Sequence, residues 1–170
     1  MKAVLGKDKK PKKGDVVQFG TYDDQPIKWK VINVSPYEHK ALLIADSYCG
    51  EATTKDYFMG KIHGMITDLM EECFFPDEQK LICVIRLLTD DDISKYFFSE
   101  DDLKFYPYGT GNDAKPYWYC NNDGFHFPYY VRTAGSLGRT NGDVLFSLRP
   151  VMWIKYDCVP AEEDTGEEQK

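Results

Sequence analysis

The chain has 170 residues, 42% of them hydrophobic and 15% aromatic. That length suits one domain with a buried core, and the composition excludes a disordered chain. The net charge is −7, and residues 14–160 carry 14 basic against 22 acidic side chains; such an acidic body repels phosphate backbones and argues against nucleic acid as a partner.

Charge collects at both ends. Lys2, Lys7, Lys9, Lys10, Lys12 and Lys13 stand against Asp8 in the first 13 residues, and Glu162, Glu163, Asp164, Glu167 and Glu168 stand against Lys170 in the last ten. Neither stretch has apolar periodicity. Residues 1–13 therefore read as a basic tail and residues 159–170 as an acidic tail, flanking a single domain over 14–158. The basic tail reads as solubilising, with contact to nucleic acid or an anionic membrane as its alternative. No run reaches membrane-spanning length and no apolar leader opens the chain, which points to the cytoplasm. Five cysteines without a C-x-x-C spacing (Cys49, Cys73, Cys83, Cys120, Cys158) fit reduced thiols better than a disulfide framework.

Residues 14–46 read as a three-stranded meander. Val16-Val17-Gln18-Phe19 is the first strand, and residues 20–26 turn. In the second strand Ile27, Trp29 and Val31 alternate with lysines, so they share a buried face. Residues 35–39 turn again, and Lys40 to Asp46 is a short apolar strand. The middle reads as helical. Met65, Leu69, Met70, Cys73 and Phe74 fall at three-to-four spacing, and Pro76 breaks the pattern. Asp77-Glu78 then opens a second run with Leu81, Ile82, Val84, Ile85 and Leu88. Thr89-Asp90-Asp91-Asp92 and Ser99-Glu100-Asp101-Asp102 have the make-up of helix caps, and capping is preferred over metal binding for these acids. Strands return after Tyr106: a loop over 108–113, a strand over 115–120, and Asn121-Asn122-Asp123-Gly124 as a hairpin signal. Strands, helices, then strands make an α+β domain.

The last third carries two similar runs. Tyr129-Tyr130-Val131-Arg132-Thr133-Ala134-Gly135 and Ser147-Leu148-Arg149-Pro150-Val151-Met152-Trp153-Ile154 each hold one arginine among apolar residues. Together they resemble the closing sheet of a bacterial domain family of unassigned function with a C-type-lectin-like core, marked by W-x-L-R-S-P-G and G-V-R-P-A-L/M-W-I. The family's G-D-x-V-x-F-G-x-Y and P-I-x-W-x-V-L are similar to residues 14–22 and 26–32. Its F-x-x-x-E-x-x-x-I and L-L-S-x-x-E/D-x-x-x-Y-F resemble residues 74–82 and 87–97. The resemblance spans residues 14–156 and implies a C-type-lectin-like core: an N-terminal meander, central short helices and a C-terminal antiparallel sheet. The chain departs from the family in Thr133-Ala134-Gly135 for S-P-G, in tyrosine for the tryptophan, and in a short insert over 136–143. In lectin-like folds that insert helps to shape the ligand surface. Formylglycine-generating enzymes, which are distantly similar, use a closely spaced cysteine pair. Cys120 and Cys158 stand far apart, so that activity does not carry over.

Candidate chemistry is sparse. Arg132 and Arg149 read either as a paired anion clamp on one sheet or as structural cations paired with internal carboxylates; the second is favoured, because an arginine among apolar residues needs a partner. Cys120, Asp123 and His126 are the one nucleophilic trio, and their spacing does not force contact. His39, His63 and His126 lack zinc spacing. Gln25-Pro26-Ile27 and Asn121-Asn122-Asp123 lack the context of a lectin calcium site. No motif calls for a cofactor. The aromatic-rich segment containing Tyr117, Trp118, Tyr119, Phe125, Phe127, Tyr129 and Tyr130 is the best candidate, since outward aromatics beside Asn and Asp suit sugar rings or a protein partner. The expected function is a non-enzymatic recognition module for a protein or carbohydrate ligand. Its surface is expected on the loops around 106–126 and 135–143, with Trp118, Tyr130, Arg132, Asn141 and Arg149 as ligand-binding residues. An enzyme using thiol or acid/base chemistry on the same scaffold, and a structural or assembly subunit, are the alternatives.

Overall fold

Val17 and Phe19 point inward and Val16 and Gln18 outward, which makes residues 16–19 the start of a half-buried strand, β1 (Val16–Tyr22). It belongs to a computed structural model that describes residues 10–108, 113–121 and 124–156, with the backbone alone for 124–127. Residues 1–9, 109–112 and 157–170, with Cys158 and the acidic tail, lie outside the described residues. So do Asn122, Asp123 and the side chains of Phe125, His126 and Phe127. Residues 10–13, read as tail, touch the fold: Pro11 is buried, the Lys12 N–H donates to Asp15 Oδ2 at 2.9 Å, and Lys13 Nζ sits 4.5 Å from the Phe98 ring centre.

The first hairpin is tighter than the sequence suggests. β1 runs on to Tyr22, which pairs with Gln25 at the start of β2 (Gln25–Ser35). Asp23 and Asp24 alone make the turn, at φ 47° and 60°, the left-handed pair that a two-residue hairpin loop needs. Gly20 lies where the β1–β2 register shifts, and the Phe74 ring fills the space where its side chain would be. As expected, Ile27, Trp29 and Val31 are buried together. β3 (Lys40–Ala45) follows, and residues 41–45 are fully buried because both faces of this strand are covered.

β4 (Glu51–Thr53) leads into α1 (Thr54–Phe58) and α2 (Lys61–Cys73). The buried stripe of α2 is Ile62, Ile66, Leu69 and Cys73, and Met65 and Met70 flank it. α3 (Pro76–Gln79) is a single turn. The buried Glu78 carboxylate accepts the N–H of Phe75 at 3.0 Å and of Gly20 at 3.2 Å, tying this turn to the first hairpin. The run after it is not helical: residues 82–87 form strand β5 (Ile82–Leu87). Its apolar spacing suits either element, and antiparallel pairing with the last strand decides for the sheet. α4 (Asp90–Tyr96) and α5 (Glu100–Leu103) start at the expected caps, where Thr89 and Ser99 side chains accept N–H groups of Asp92 and Asp102.

β6 (Tyr117–Asn121), β7 (Gly124–Val131), β8 (Leu137–Arg139), β9 (Leu145–Ser147) and β10 (Pro150–Lys155) complete an α+β fold, with two five-stranded sheets among the described residues. Their orders are β1-β2-β3-β10-β5 and β4-β9-β6-β7-β8. β10 thus joins the N-terminal meander's sheet between β3 and β5. Core residues cover both faces of that sheet: Trp29, Leu43 and Met152 meet α2 on one, and Leu42, Ile44 and Val151 meet Phe105, Tyr117 and Val131 on the other. Arg132 follows β7 in the second sheet and Arg149 precedes β10 in the first, so the two arginines do not share a sheet. No helix among the described residues is long and apolar enough to cross a membrane.

Candidate functional site

Two of the five expected ligand residues are interior. Trp118 is fully buried; its ring packs on Phe146 (centres 4.9 Å apart) and Tyr57 (5.2 Å), and its indole N–H donates to Ala52 O at 2.8 Å. β6 has neighbours on both edges and core on both faces, so Tyr117 and Tyr119 are buried as well. The expectation of outward aromatics is corrected for this strand accordingly. Arg149 is also interior, 2% exposed. Its Nε donates to Ala45 O at 2.7 Å, Nη1 to the Tyr117 hydroxyl at 3.2 Å and Leu103 O at 3.4 Å, and Nη2 to Asp46 Oδ1 at 3.4 Å. The guanidinium lies 4.6 Å from the Phe105 ring centre and 5.0 Å from that of Tyr117. Arg149 is therefore a staple between the two sheets and the loop after β3, not a ligand clamp.

The other three reach the surface. Tyr130 is half-buried against Phe146, at 4.6 Å between ring centres. Arg132 is exposed; its guanidinium sits 5.6 Å from the Tyr130 ring centre, donates to Leu137 O, and occupies the space beside Gly138 that any side chain there would need. Asn141 is exposed and lines a shallow depression of about 360 Å³ with Pro128, Arg139 and Thr140. Arg132 borders a second, more open one of about 490 Å³ with Tyr129 and Leu137. Gly135, at the place of the family's S-P-G glycine, has φ 93° and packs so closely on the Glu100 backbone that no Cβ fits.

The candidate nucleophile is poorly placed for chemistry. Burial pushes the Cys120 thiol up to about 11, with Asp92 and Asp90 adding to the rise and Arg86 opposing it. At neutral pH it is protonated and a weak nucleophile. Arg86 and Asp92 close on one another, with Nη1 to Oδ2 at 2.5 Å and Nη2 to Oδ1 at 3.1 Å. Among the described residues, no group of three His, Cys, Asp or Glu side chains is placed to hold a metal ion.

Asp92 carries a pH prediction. Burial opposes its charge, but hydrogen bonds from Arg86 and from the Thr89 backbone, with the arginine's charge, outweigh it and hold the carboxyl below its ordinary 3.8. A depressed folded-state value contributes stability that is complete above the unfolded value and fades as pH falls through the folded one. Asp92→Asn is expected to cost about 2 kcal/mol at pH 7. It also flattens the acid limb of the unfolding midpoint below pH 3.8, read by urea titration across pH.

A second aromatic group reaches solvent on the loops after β3 and α5. Tyr108, in the loop after α5, is 68% exposed and stacks on Tyr48, with ring centres 5.5 Å apart and planes 22° apart. Tyr22 meets the Tyr48 ring edge-on, with centres 5.5 Å apart. Tyr48 sits in the loop after β3, which is held firmly. The Leu148 N–H donates to Gly50 O at 2.8 Å, the Lys28 N–H donates to Ser47 Oγ at 2.9 Å, and Arg149 grips Ala45 and Asp46. Gly50, at φ 100°, leaves room for the Tyr22 hydroxyl, which would lie 3.2 Å from any Cβ. The sequence signal for this cluster is slight: an aromatic in the polar stretch Asp46-Ser47-Tyr48, outside any strand alternation. Compared with known proteins, the chain matches no protein-family model, no curated protein and no solved structure.

Proposed function

We propose that this chain is a non-enzymatic recognition module, built on a C-type-lectin-like core and acting in the cytoplasm, that binds a protein or glycan ligand through exposed aromatics. The chain order supports the core: an N-terminal meander, short helices, then strands of which the last returns into the first sheet. The observation that carries the function is the Tyr108–Tyr48 stack, with Tyr22 edge-on to Tyr48 and Tyr108 exposed, on a rigid base. Large flat side chains held in place anchor ligands at low entropic cost. The stack takes the anchoring role expected of Trp118, and the loop bearing Tyr108 falls in the expected ligand surface around 106–126. Arg132 and Asn141 border the depressions beside β8, apart from the tyrosine cluster.

Tyr108→Ala tests the reading on glycan and peptide arrays probed with the intact chain. Binding is expected to fall at least tenfold, the loss typical of an anchoring aromatic. The unfolding free energy should shift by about 0.5 kcal/mol or less, since the ring is mostly in solvent. Binding indifferent to Tyr108, or none on either array, overturns this placement.

A further inference from the structure

We propose that the tyrosine face selects a cation, an arginine or lysine side chain of a protein partner that stacks on Tyr108 and is held by Glu51 and Asp23. The inference rests on the recognition reading and names its ligand class. Aromatic ring faces carry negative potential and attract guanidinium and ammonium groups. Two carboxylates act on Tyr48 with the same sign. Glu51 follows Tyr48 by three residues, and Asp23 directly follows Tyr22, whose hydroxyl lies against Gly50. Burial first, then the carboxylate of Glu51 and more weakly that of Asp23, pushes the Tyr48 phenol up to about 12. The phenol therefore stays neutral at physiological pH, and the negative charge beside it is that of the carboxylates. Among the described residues neither Glu51 nor Asp23 is in an ion pair, whereas Asp46 already holds Arg149. A chain of net charge −7 adds a long-range pull on basic segments. The molecule uses the same chemistry internally, with Arg149 beside Phe105 and Tyr117 and Lys13 over Phe98. A neutral sugar can stack on a tyrosine but leaves both carboxylates without a counter-charge.

Titration calorimetry on the full chain separates these cases with three probes: a Gly/Ser peptide carrying three arginines, the same peptide with citrulline, and a neutral oligosaccharide mixture. The arginine peptide is expected to bind about tenfold more tightly than the citrulline peptide, and Tyr108→Ala to weaken it about tenfold. Joint Glu51→Gln and Asp23→Asn substitution should lower its affinity several-fold and reduce its salt dependence. Unfolding midpoints show that the variants remain folded. Equal binding of the arginine and citrulline peptides, or arginine binding indifferent to Tyr108, overturns the proposal. Tyr108-dependent binding of the oligosaccharide alone overturns the cation and leaves the recognition face standing. Binding of none of the probes counts against both.

Discussion

Arg149→Ala is expected to lower the unfolding free energy by about 3–5 kcal/mol, the cost of breaking a buried ionic network from one side. The carboxylate partner is not the main loss, since Asp46 is 37% exposed and can rehydrate. The Ala45 carbonyl and the Tyr117 hydroxyl lose a donor inside the core, at about 1–3 kcal/mol for a buried group left unsatisfied, while Leu103 O keeps the Tyr117 hydroxyl at 2.7 Å. Truncation also leaves a void beside Phe105 and Tyr117. Arg149→Lys keeps the charge but cannot serve acceptors on several sides from one ammonium, and about 2 kcal/mol of loss is expected. Urea unfolding at neutral pH reads both values. A loss below 1 kcal/mol for alanine would show that water or a neighbour replaces the guanidinium, and the staple would be wrong. Folded Arg149→Lys has a second use: if the loop after β3 depends on this grip, Tyr48 loosens and ligand binding weakens without any change to the tyrosine face.

How far the sequence reached depended on whether a local pattern had one structural solution. Ile27, Trp29 and Val31 alternate with lysines, and only a half-buried strand satisfies that. Thr89 and Ser99 precede acids at the spacing of a cap, and both caps form. Residues 81–88 had two solutions, since Leu81, Ile82, Ile85 and Leu88 also fit one helix face. Pairing with β10, some seventy residues later, makes the run a strand, and nothing local shows it. The first turn shrank to Asp23-Asp24 because Gly20, the obvious turn residue, is needed where β1 meets Phe74. At the site, Arg149 was legible as an arginine needing a partner, but its acceptors are mostly backbone carbonyls, which leave no mark in a sequence. Tyr48 and Tyr108 lie sixty residues apart, so their stacking was invisible before the fold brought the two loops together.

Trp118 shows why an aromatic segment should not be mutated as a binding surface without knowing its faces. Trp118→Ala is expected to cost about 3–5 kcal/mol from cavity formation alone. Loss of the indole N–H strands the Ala52 carbonyl in the core and adds about 1 kcal/mol or more. The void opens between Tyr57 and Phe146, and so between α1 and the second sheet. A domain of this size is typically stable by 5–15 kcal/mol, so the variant stands near the edge of folding and any binding it loses reports on the fold. Trp118→Phe refines the test: it keeps an aromatic in the slot but removes the donor, and about 2 kcal/mol of loss is expected, with ligand binding unchanged in the fraction that folds. Chemical denaturation beside the binding assay reads the pair. If Trp118→Phe abolished binding at unchanged stability, the indole would have to meet the ligand directly, which its burial between β9 and β7 does not allow. Tyr108→Ala supplies the contrasting result, lost binding at intact stability, and the opposition of the two variants separates the binding face from the core beneath it.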